Sequence, residues 1–310
     1  MRSQNIRRLV IFFIASILTF VIIFVLWFSR LQALALVHPG RNQPAVTAAE
    51  MGLPSQDVTF TTRDGVDISG WYIPPCLASG AAIIYVHGIG GNRGQLLAQA
   101  ALLYERLGIG ALLFDLRNHG QSELAVTTLG LNEVMDVEAA FAWLQMRNDL
   151  DPARIGLNGL SMGAATVIRA GARIPEAQFV IAQAAYTSLD DNIAEGVRGL
   201  TGLPPFPFAP LLIAFGEAEA GVRIRDVRPI DDVARIAPRP LLLIHGDQDT
   251  LVLPRNSEAL YAAAGEPKQH YVIAGGGHDD QLQAGGSAFA EMLVAWVGAF
   301  NAGEGCQTGA

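Results

Sequence analysis

The longest hydrophobic run of the chain lies near its N-terminus. From Leu9 to Phe28 every residue is apolar or small and none is charged, which is about the length that a helix needs to cross the hydrocarbon core of a bilayer. No face of this segment is polar, as the solvent-facing side of a core helix in a soluble domain would be. The pattern predicts an N-terminal transmembrane helix in an anchor segment of residues 1–30.

Charges flank this run unequally. Arg2, Arg7 and Arg8 precede it, whereas Arg30 alone follows closely. This asymmetry predicts a cytoplasmic N-terminus and places the rest of the chain on the extracytoplasmic side. The alternative is secretion after cleavage of a signal peptide near the small residues at positions 33 and 35. The hydrophobic region of a signal peptide is usually only about 7 to 15 residues long, which favours an uncleaved anchor.

The pattern changes twice after the anchor. Residues 31–56 contain five scattered prolines and glycines without a sustained apolar period, so we expect a stalk. From residue 57 short apolar runs alternate with helix-forming segments, which predicts one α/β domain over residues 57–300 with a mostly parallel central sheet flanked by helices. A hairpin is expected around Asp64-Gly65, and the later strands are expected to begin at Ala82, Ala111, Ile155, Phe179, Leu241 and Tyr271. Residues 301–310 are expected to form a disordered tail.

One segment, about residues 186–236, interrupts this alternation. It contains the proline-rich stretch Gly202–Pro210, followed by the apolar run Leu211–Phe215. We expect an insertion that forms a lid over a pocket. Its apolar residues have three possible roles, which are to line an acyl pocket, to touch the membrane, or to pack on the core.

Composition narrows the possible partners. The chain has 29 acidic and 21 basic side chains, so nucleic acid is not an expected partner. His245, Asp247 and Asp249 lie close together in sequence but do not have the spacing of a zinc or calcium site. The run Gly275–Gly277 lacks the lysine and the following helix of a phosphate-binding loop. We therefore expect neither a metal nor a cofactor.

A serine between two glycines is the first candidate for chemistry. The pentapeptide Gly159-Leu160-Ser161-Met162-Gly163 lies between a strand-like run and a helix-forming segment. A serine at such a junction sits on a strained turn with its hydroxyl exposed above the sheet, and flanking glycines avoid backbone collisions. A glycine-rich turn without chemistry would look the same locally, so the assignment of Ser161 as a nucleophile depends on an acid and a base elsewhere.

Those partners follow near the C-terminus. A serine hydroxyl needs a base to take its proton, and His278, after the loop Gly275–Gly277, is the candidate. The base needs a carboxylate that fixes its tautomer. We expect Asp249 to fill this role, because it lies further along its loop than Asp247, which is expected to cap a turn. His270 is the rival base, but it is expected at an edge or on the surface.

Five motifs in this order resemble one known family. They are His87-Gly88-Ile89-Gly90-Gly91-Asn92, Asp115-Leu-Arg117-Asn-His119-Gly120-Gln-Ser122, Gly159-Leu-Ser161-Met-Gly163, His245-Gly246-Asp-Gln-Asp249 and Gly277-His278. From about residue 57 to residue 300 the chain resembles the α/β-hydrolase superfamily of serine hydrolases, in its esterase, lipase and serine-aminopeptidase-like branch. The resemblance implies the α/β-hydrolase fold and a triad of Ser161, Asp249 and His278.

The resemblance also implies an oxyanion hole. One amide is expected from the segment after His87-Gly88, with Ile89 as the candidate, and the other from Met162. The Met162 amide begins a helix, whose first N–H groups are unpaired and whose dipole favours negative charge. His87, with the residues of the Asp115 motif, is expected to brace the site without taking part in the chemistry.

These expectations combine into a membrane-anchored serine hydrolase that cleaves an ester-type acyl bond through an acyl-enzyme, with a small-molecule or lipid-like acyl substrate. Peptidase or thioesterase activity on the same triad is an alternative, and so is a catalytically idle fold that serves as a membrane-tethered binding module. No candidate site residue precedes Gln56. The sequence therefore predicts a domain that folds and hydrolyses soluble esters without its anchor and stalk.

Overall fold

The computed structural model describes residues 2–76 and 80–300. Within these ranges the chain forms eight strands and nine helices. The strands are β1 Gln56–Thr61, β2 Asp67–Ile73, β3 Ala82–Val86, β4 Gly110–Phe114, β5 Ile155–Leu160, β6 Val180–Gln183, β7 Leu241–Gly246 and β8 Lys268–Ile273. The helices are α1 Arg2–Val37, α2 Leu97–Leu107, α3 Glu133–Gln145, α4 Met162–Gly171, α5 Leu189–Thr201, α6 Pro205–Ala220, α7 Pro229–Asp232, α8 Arg255–Ala263 and α9 Gln281–Gly298.

All eight strands belong to one sheet in the order β1-β2-β4-β3-β5-β6-β7-β8. Strands β1 and β2 are antiparallel to their neighbours, and the remaining pairs are parallel. The parallel strands β3 to β7 are buried throughout, because helices cover both faces of the sheet, and this explains their continuous apolar sequences. The predicted hairpin and mostly parallel sheet are confirmed.

The sequence-based strand limits were wrong at one place that matters for the site. The last strand begins at Lys268 instead of Tyr271, so His270 lies within β8. Its Nε2 atom is 2.9 Å from the hydroxyl of Ser257 on α8. His270 therefore contributes to packing at the sheet edge and does not reach the nucleophile.

The N-terminal helix continues beyond the predicted anchor boundary, to Val37. Its most apolar 18-residue window is not buried against the rest of the protein. From Ser29 onwards the helix packs on the domain, and Ser29, Ala33 and Val37 are each only 1% exposed. The helix thus has an exposed apolar part, long enough to cross a membrane, and a second part that belongs to the folded domain.

The predicted stalk also differs from the structure, because residues 38–55 lie on the domain surface. The guanidinium of Arg41 donates to the carbonyl of Gly120 at 3.0 Å. Ala48 and Leu53 are buried in the hydrophobic core on one face of the sheet. The prolines and glycines of this segment predict a spacer. Ala48 and Leu53 nevertheless pack against a hydrophobic surface that exists only in the folded domain.

The insertion between β6 and β7 contains α5, α6, α7 and two short 3₁₀ turns. Helix α6 packs against α1, and the rings of Phe208 and Phe28 meet edge to face with centroids 5.8 Å apart. The insertion and the end of α1 therefore form one layer above the sheet. The predicted tail, residues 301–310, lies outside the described residues.

Candidate active site

Ser161 occupies the turn between β5 and α4. Its backbone has φ +56° and ψ −118°, a conformation that costs a non-glycine residue about 1 to 3 kcal/mol and persists only when its surroundings enforce it. A Cβ atom at Gly159 would lie 2.3 Å from the carbonyl oxygen of Gly163, and one at Gly163 would lie 2.1 Å from that of Val86. The Ser161 amide donates to the carbonyl of Gln183 at 2.8 Å. Both glycines are therefore required to hold this turn.

The structure brings the three predicted residues Ser161, His278 and Asp249 together in one chain of hydrogen bonds. The His278 Nε2 atom is 2.9 Å from the Ser161 hydroxyl, and its Nδ1 atom is 2.8 Å from Asp249 Oδ2. Because an ionised carboxylate can only accept, Nδ1 carries the proton and Nε2 is left to accept the serine proton. This is the arrangement that a general base requires.

Asp249 is held as a carboxylate. Its Oδ1 atom accepts hydrogen bonds from the amides of Leu251 and Val252 at 2.9 and 3.0 Å. Burial opposes ionisation, but the hydrogen bonds from His245 and His278 outweigh it and hold the pKa of Asp249 below its ordinary value. The carboxylate is therefore charged throughout the neutral range and can stabilise an imidazolium.

His245 is a contributor to this site that the sequence reading missed. It lies at the end of β7, fully buried, with Nε2 at 3.2 Å from Asp249 Oδ2 and 2.8 Å from the carbonyl of Val252. From the sequence, this histidine is part of a family motif and is excluded as a metal ligand, but no role at the site is assigned to it. Its spacing of four residues from Asp249, after a buried strand, was the signal that could have found it.

Asp247 has the other role expected for it. Its carboxylate is exposed and accepts from the amide of Gly275 at 2.8 Å. This bond connects the turn after β7 to the turn after β8. Asp247 thus lies away from His278 and helps to position the loop that carries it.

The candidate oxyanion amides lie beside Ser161. A Cβ atom at Gly88 would lie 3.3 Å from that of Ser161, so the loop after β3 approaches the nucleophile closely. The amides of Gly88 and Gly90 are already bound, to Gln95 Oε1 and to the Nε2 atom of His119. Among the described residues, the amide of Ile89 between them donates no hydrogen bond, and neither does that of Met162 at the start of α4. Both are free to meet a negative oxygen.

Buried side chains brace this loop. His87 accepts from the amide of Leu116 at 3.0 Å through Nε2 and donates from Nδ1 to the carbonyl of Gly88 at 2.7 Å. Burial, assisted by the neighbouring His119, lowers the pKa of His87 to about 3, so its ring stays neutral. Arg93 and Asp115 form a buried ion pair at 2.7 Å behind the same loop. These residues support the site and do not reach the nucleophile.

A cavity of about 290 Å³ opens at Ser161 and His278. Its walls are mostly apolar and come from three helices as well as from the sheet edge. The lining residues from α1 are Phe28, Ser29, Gln32, Ala35 and Leu36, and those from the insertion include Asn192, Ile193, Val197, Leu200, Phe208 and Leu212. A larger cleft of about 600 Å³ between α5 and α8 contains none of the three hydrogen-bonded site residues. Of these two cavities among the described residues, the smaller one is lined by Ser161 and His278.

Comparisons with known proteins agree with this architecture. Residues 83–292 match the model of the alpha/beta hydrolase family. An uncharacterised protein of Mycobacterium tuberculosis is 30% identical over 281 residues, which cover 90% of this chain and 91% of that protein. An uncharacterised protein of Bacillus subtilis is 32% identical over 69% of this chain and 70% of its own length. A solved esterase of Pyrococcus furiosus superposes with a TM-score of 0.67 at 28% identity, covering 85% of this chain and 98% of the esterase.

Proposed function

The chain belongs to the α/β-hydrolase family, and on that premise we propose that it is a serine hydrolase that cleaves ester-type acyl bonds at a membrane surface. The observation that carries the proposal is the hydrogen-bonded series Asp249–His278–Ser161, with distances of 2.8 and 2.9 Å. A strained serine at the mouth of an apolar cavity is the second support. The likeness to a solved esterase, at 28% identity, favours an ester as the scissile bond.

The geometry supports a two-step mechanism. The Ser161 oxygen attacks the acyl carbon while its proton moves to His278 Nε2, and Asp249 stabilises the resulting imidazolium. The carbonyl oxygen becomes negative and is met by the amides of Ile89 and Met162, each worth about 10²- to 10³-fold in rate. His278 then protonates the leaving alcohol, and the acyl group remains on Ser161. Water, activated by the same histidine, releases the acid and restores the enzyme.

A fluorophosphonate probe tests this proposal directly. It should label the full-length protein at Ser161, and Ser161→Ala should lose both labelling and ester hydrolysis. Ser287→Ala is the matched control, because Ser287 is exposed on α9 and does not line the cavity. An unlabelled wild-type protein would establish the idle-fold alternative. Parallel assays with p-nitrophenyl esters, thioesters and aminoacyl anilides separate the esterase from the thioesterase and the peptidase.

We further propose that α1 remains attached as a single-pass anchor, with the hydrolase domain on the extracytoplasmic side. The arginine asymmetry supports the orientation. The burial of Ser29 and Ala33 supports retention of the helix, because cleavage near position 35 would remove residues that are packed into the domain.

Topology is measured in membrane vesicles of known orientation. Carbonate washing should leave the full-length chain in the membrane, and protease added from the extracytoplasmic side should digest the domain. Release of a soluble product that begins near Leu36 would instead establish a cleaved signal. Protection of the domain inside the cytoplasmic compartment would reverse the orientation.

A further inference from the structure

We propose that the end of the transmembrane helix forms a substrate-binding wall, and that the pocket takes an uncharged, single-chain acyl ester whose free hydroxyl group is bound by Ser29 and Asn192. This inference rests on the proposed hydrolase function and specifies its substrate class. Its basis is a pair of buried, unpartnered polar atoms in a mostly apolar cavity.

One face of α1 lines the cavity. Its lining residues Phe28, Gln32, Ala35 and Leu36 follow the spacing of a single helical face. Ala33, which follows Ser29 by four residues and lies beside it on the helix surface, is buried in the core of the domain. The helix is thereby fixed in rotation, so the residues that face the cavity are set by the fold.

Ser29 on this wall has an unusual hydroxyl. A serine within a helix commonly donates to the carbonyl four residues earlier, and Ser16 of the same helix does so, to Phe12 at 2.9 Å. Ser29 is only 1% exposed, yet its Oγ atom has no hydrogen-bond partner among the described residues. A buried hydroxyl without a partner costs about 1 to 3 kcal/mol. Ser29 lines the cavity, so a ligand there can supply the missing bond.

Asn192 provides a second polar atom from α5. Its Oδ1 atom is buried and likewise lacks a partner among the described residues, and the residue lines the same cavity as Ser29. A carboxamide oxygen only accepts hydrogen bonds, whereas a serine hydroxyl both donates and accepts. A hydroxyl group on the substrate satisfies both atoms, because it can donate to Asn192 and accept from Ser29.

The remaining lining restricts the rest of the substrate. None of the described residues around the cavity is lysine, arginine, aspartate or glutamate, so a phosphate or carboxylate group would find no counter-charge. The volume of about 290 Å³ is at the lower end for sites that hold drug-sized ligands. It therefore suits one acyl chain and a small alcohol, and is too small for a two-chain lipid.

The position of the cavity along α1 supports a lipid-phase ester. At 1.5 Å per residue, Gln32 lies only about 8 Å along the helix from Trp27, at the end of the exposed apolar segment. Leu200 lines the cavity and is 71% exposed, and Phe206, at the start of α6, is 77% exposed. The cavity is thus within reach of a bilayer that surrounds α1.

The test compares two esters with the same acyl chain. Full-length protein in phosphatidylcholine nanodiscs is assayed with 1-octanoylglycerol, which has free hydroxyl groups, and with methyl octanoate, which has none. Wild-type protein should prefer the glycerol ester by about tenfold or more in kcat/KM. Ser29→Ala and Asn192→Leu should each reduce this ratio by about tenfold. Ser16→Ala is the matched control and should leave the ratio unchanged, since its hydroxyl is bonded within the helix.

A second pair of variants tests the wall itself. Ala35→Trp should lower the rate on 1-octanoylglycerol much more than the rate on 1-acetylglycerol, because the indole would fill the space of the chain. Leu31→Trp lies on the same helix outside the cavity lining and should preserve the chain-length profile. An unchanged profile in Ala35→Trp would show that α1 does not bound the acyl site.

The outcomes separate this inference from the function on which it rests. If Ser161 is labelled normally but the ester ratio is near one, or is unaffected by both polar substitutions, the inference is refuted and the hydrolase stands. A preference for 1-octanoyl-lysophosphatidylcholine over 1-octanoylglycerol, measured in the same nanodiscs, would also refute the inference. If Ser161 is not labelled, the proposed hydrolase function is refuted. The substrate-binding inference is then tested with 1-O-octylglycerol, an ether that binds like the glycerol ester but cannot be hydrolysed as one. The ether should raise the thermal midpoint of the wild-type protein more than that of Ser29→Ala.

Discussion

The structure predicts that two nearby N-terminal truncations differ sharply. Removal of residues 2–26 deletes most of the exposed apolar part of α1, whereas removal of residues 2–37 also deletes the part that packs on the domain. The first protein should remain folded. The second should lose stability and its narrow pocket, contrary to the expectation from the sequence that the domain is independent of everything before Gln56.

The magnitude follows from the contacts that the longer deletion removes. Burial of Val37 and Ala33 is worth about 3 kcal/mol in total. The Val37 carbonyl also accepts from Asn118 Nδ2 at 3.1 Å and from the Thr127 amide at 3.0 Å, and each donor left without it costs about 1 kcal/mol when water can reach the site. Chain entropy regained by the freed segment offsets part of this loss. A net loss of about 3 kcal/mol lowers the thermal midpoint by about 6 to 12 °C in a domain of this size.

The assay is thermal unfolding in one detergent, with ester hydrolysis measured across chain lengths from acetyl to dodecanoyl. The shorter deletion should match the full-length protein in both readouts. The longer deletion should unfold earlier and should lose discrimination by chain length, because one wall of the cavity is missing. Equal midpoints within 2 °C, together with equal chain-length profiles, would refute the assignment of α1 to the folded domain.

Three further predictions concern single residues. Asp249→Asn should lower kcat by about 10⁴-fold by favouring the wrong histidine tautomer, whereas Asp247→Asn should change it little; the reverse ranking would move the acid to Asp247. The folded-state pKa of Asp249 is depressed, so its ionisation stabilises the fold above the unfolded pKa of about 3.9. The stability advantage of wild type over Asp249→Asn, measured by urea unfolding, should therefore shrink as pH falls below 4. An advantage that grows below pH 4 would contradict this prediction. Phe206→Glu should reduce hydrolysis of 1-oleoylglycerol in vesicles but not of soluble p-nitrophenyl butyrate. Leu124, at another place on the surface, is 71% exposed, and Leu124→Glu should alter neither rate.

The turn at Ser161, the buried strands and the apolar helix could be predicted from the sequence, because each depends on residues that are close together in the chain. The turn at Ser161 needs glycine at positions 159 and 163, since a side chain at either would collide with backbone. Both glycines lie in the same five-residue motif as Ser161, so the sequence alone indicates the turn. The buried parallel strands appear as continuous apolar runs, because both faces of each strand are covered. The apolar length of α1 likewise follows from composition alone.

The pairing of distant groups depended on the tertiary structure. His278 and Ser161 are 117 residues apart, and the family resemblance, not periodicity, placed them together. Asp249 and Asp247 differ in sequence by only two positions, and the fold of one loop decides which carboxylate faces the histidine. The spacing of His245 from Asp249 shows that the two are near each other, but only the folded loop shows that the imidazole faces the carboxylate.

The role of the N-terminal segment was the largest difference. A hydrophobic sequence shows that a helix will leave water, but it does not show whether lipid or protein will cover it. Apart from Val25, residues 4–27 are exposed, whereas Ser29, Ala33 and Val37 are covered by the domain. The packing of α6 on the end of α1, with Phe208 against Phe28, separates the part of this helix that protein covers from the part that stays exposed. The sequence determined that the chain begins with a long apolar helix and carries the motifs of a hydrolase, and the tertiary structure decided that the end of that helix lines the cavity beside Ser161.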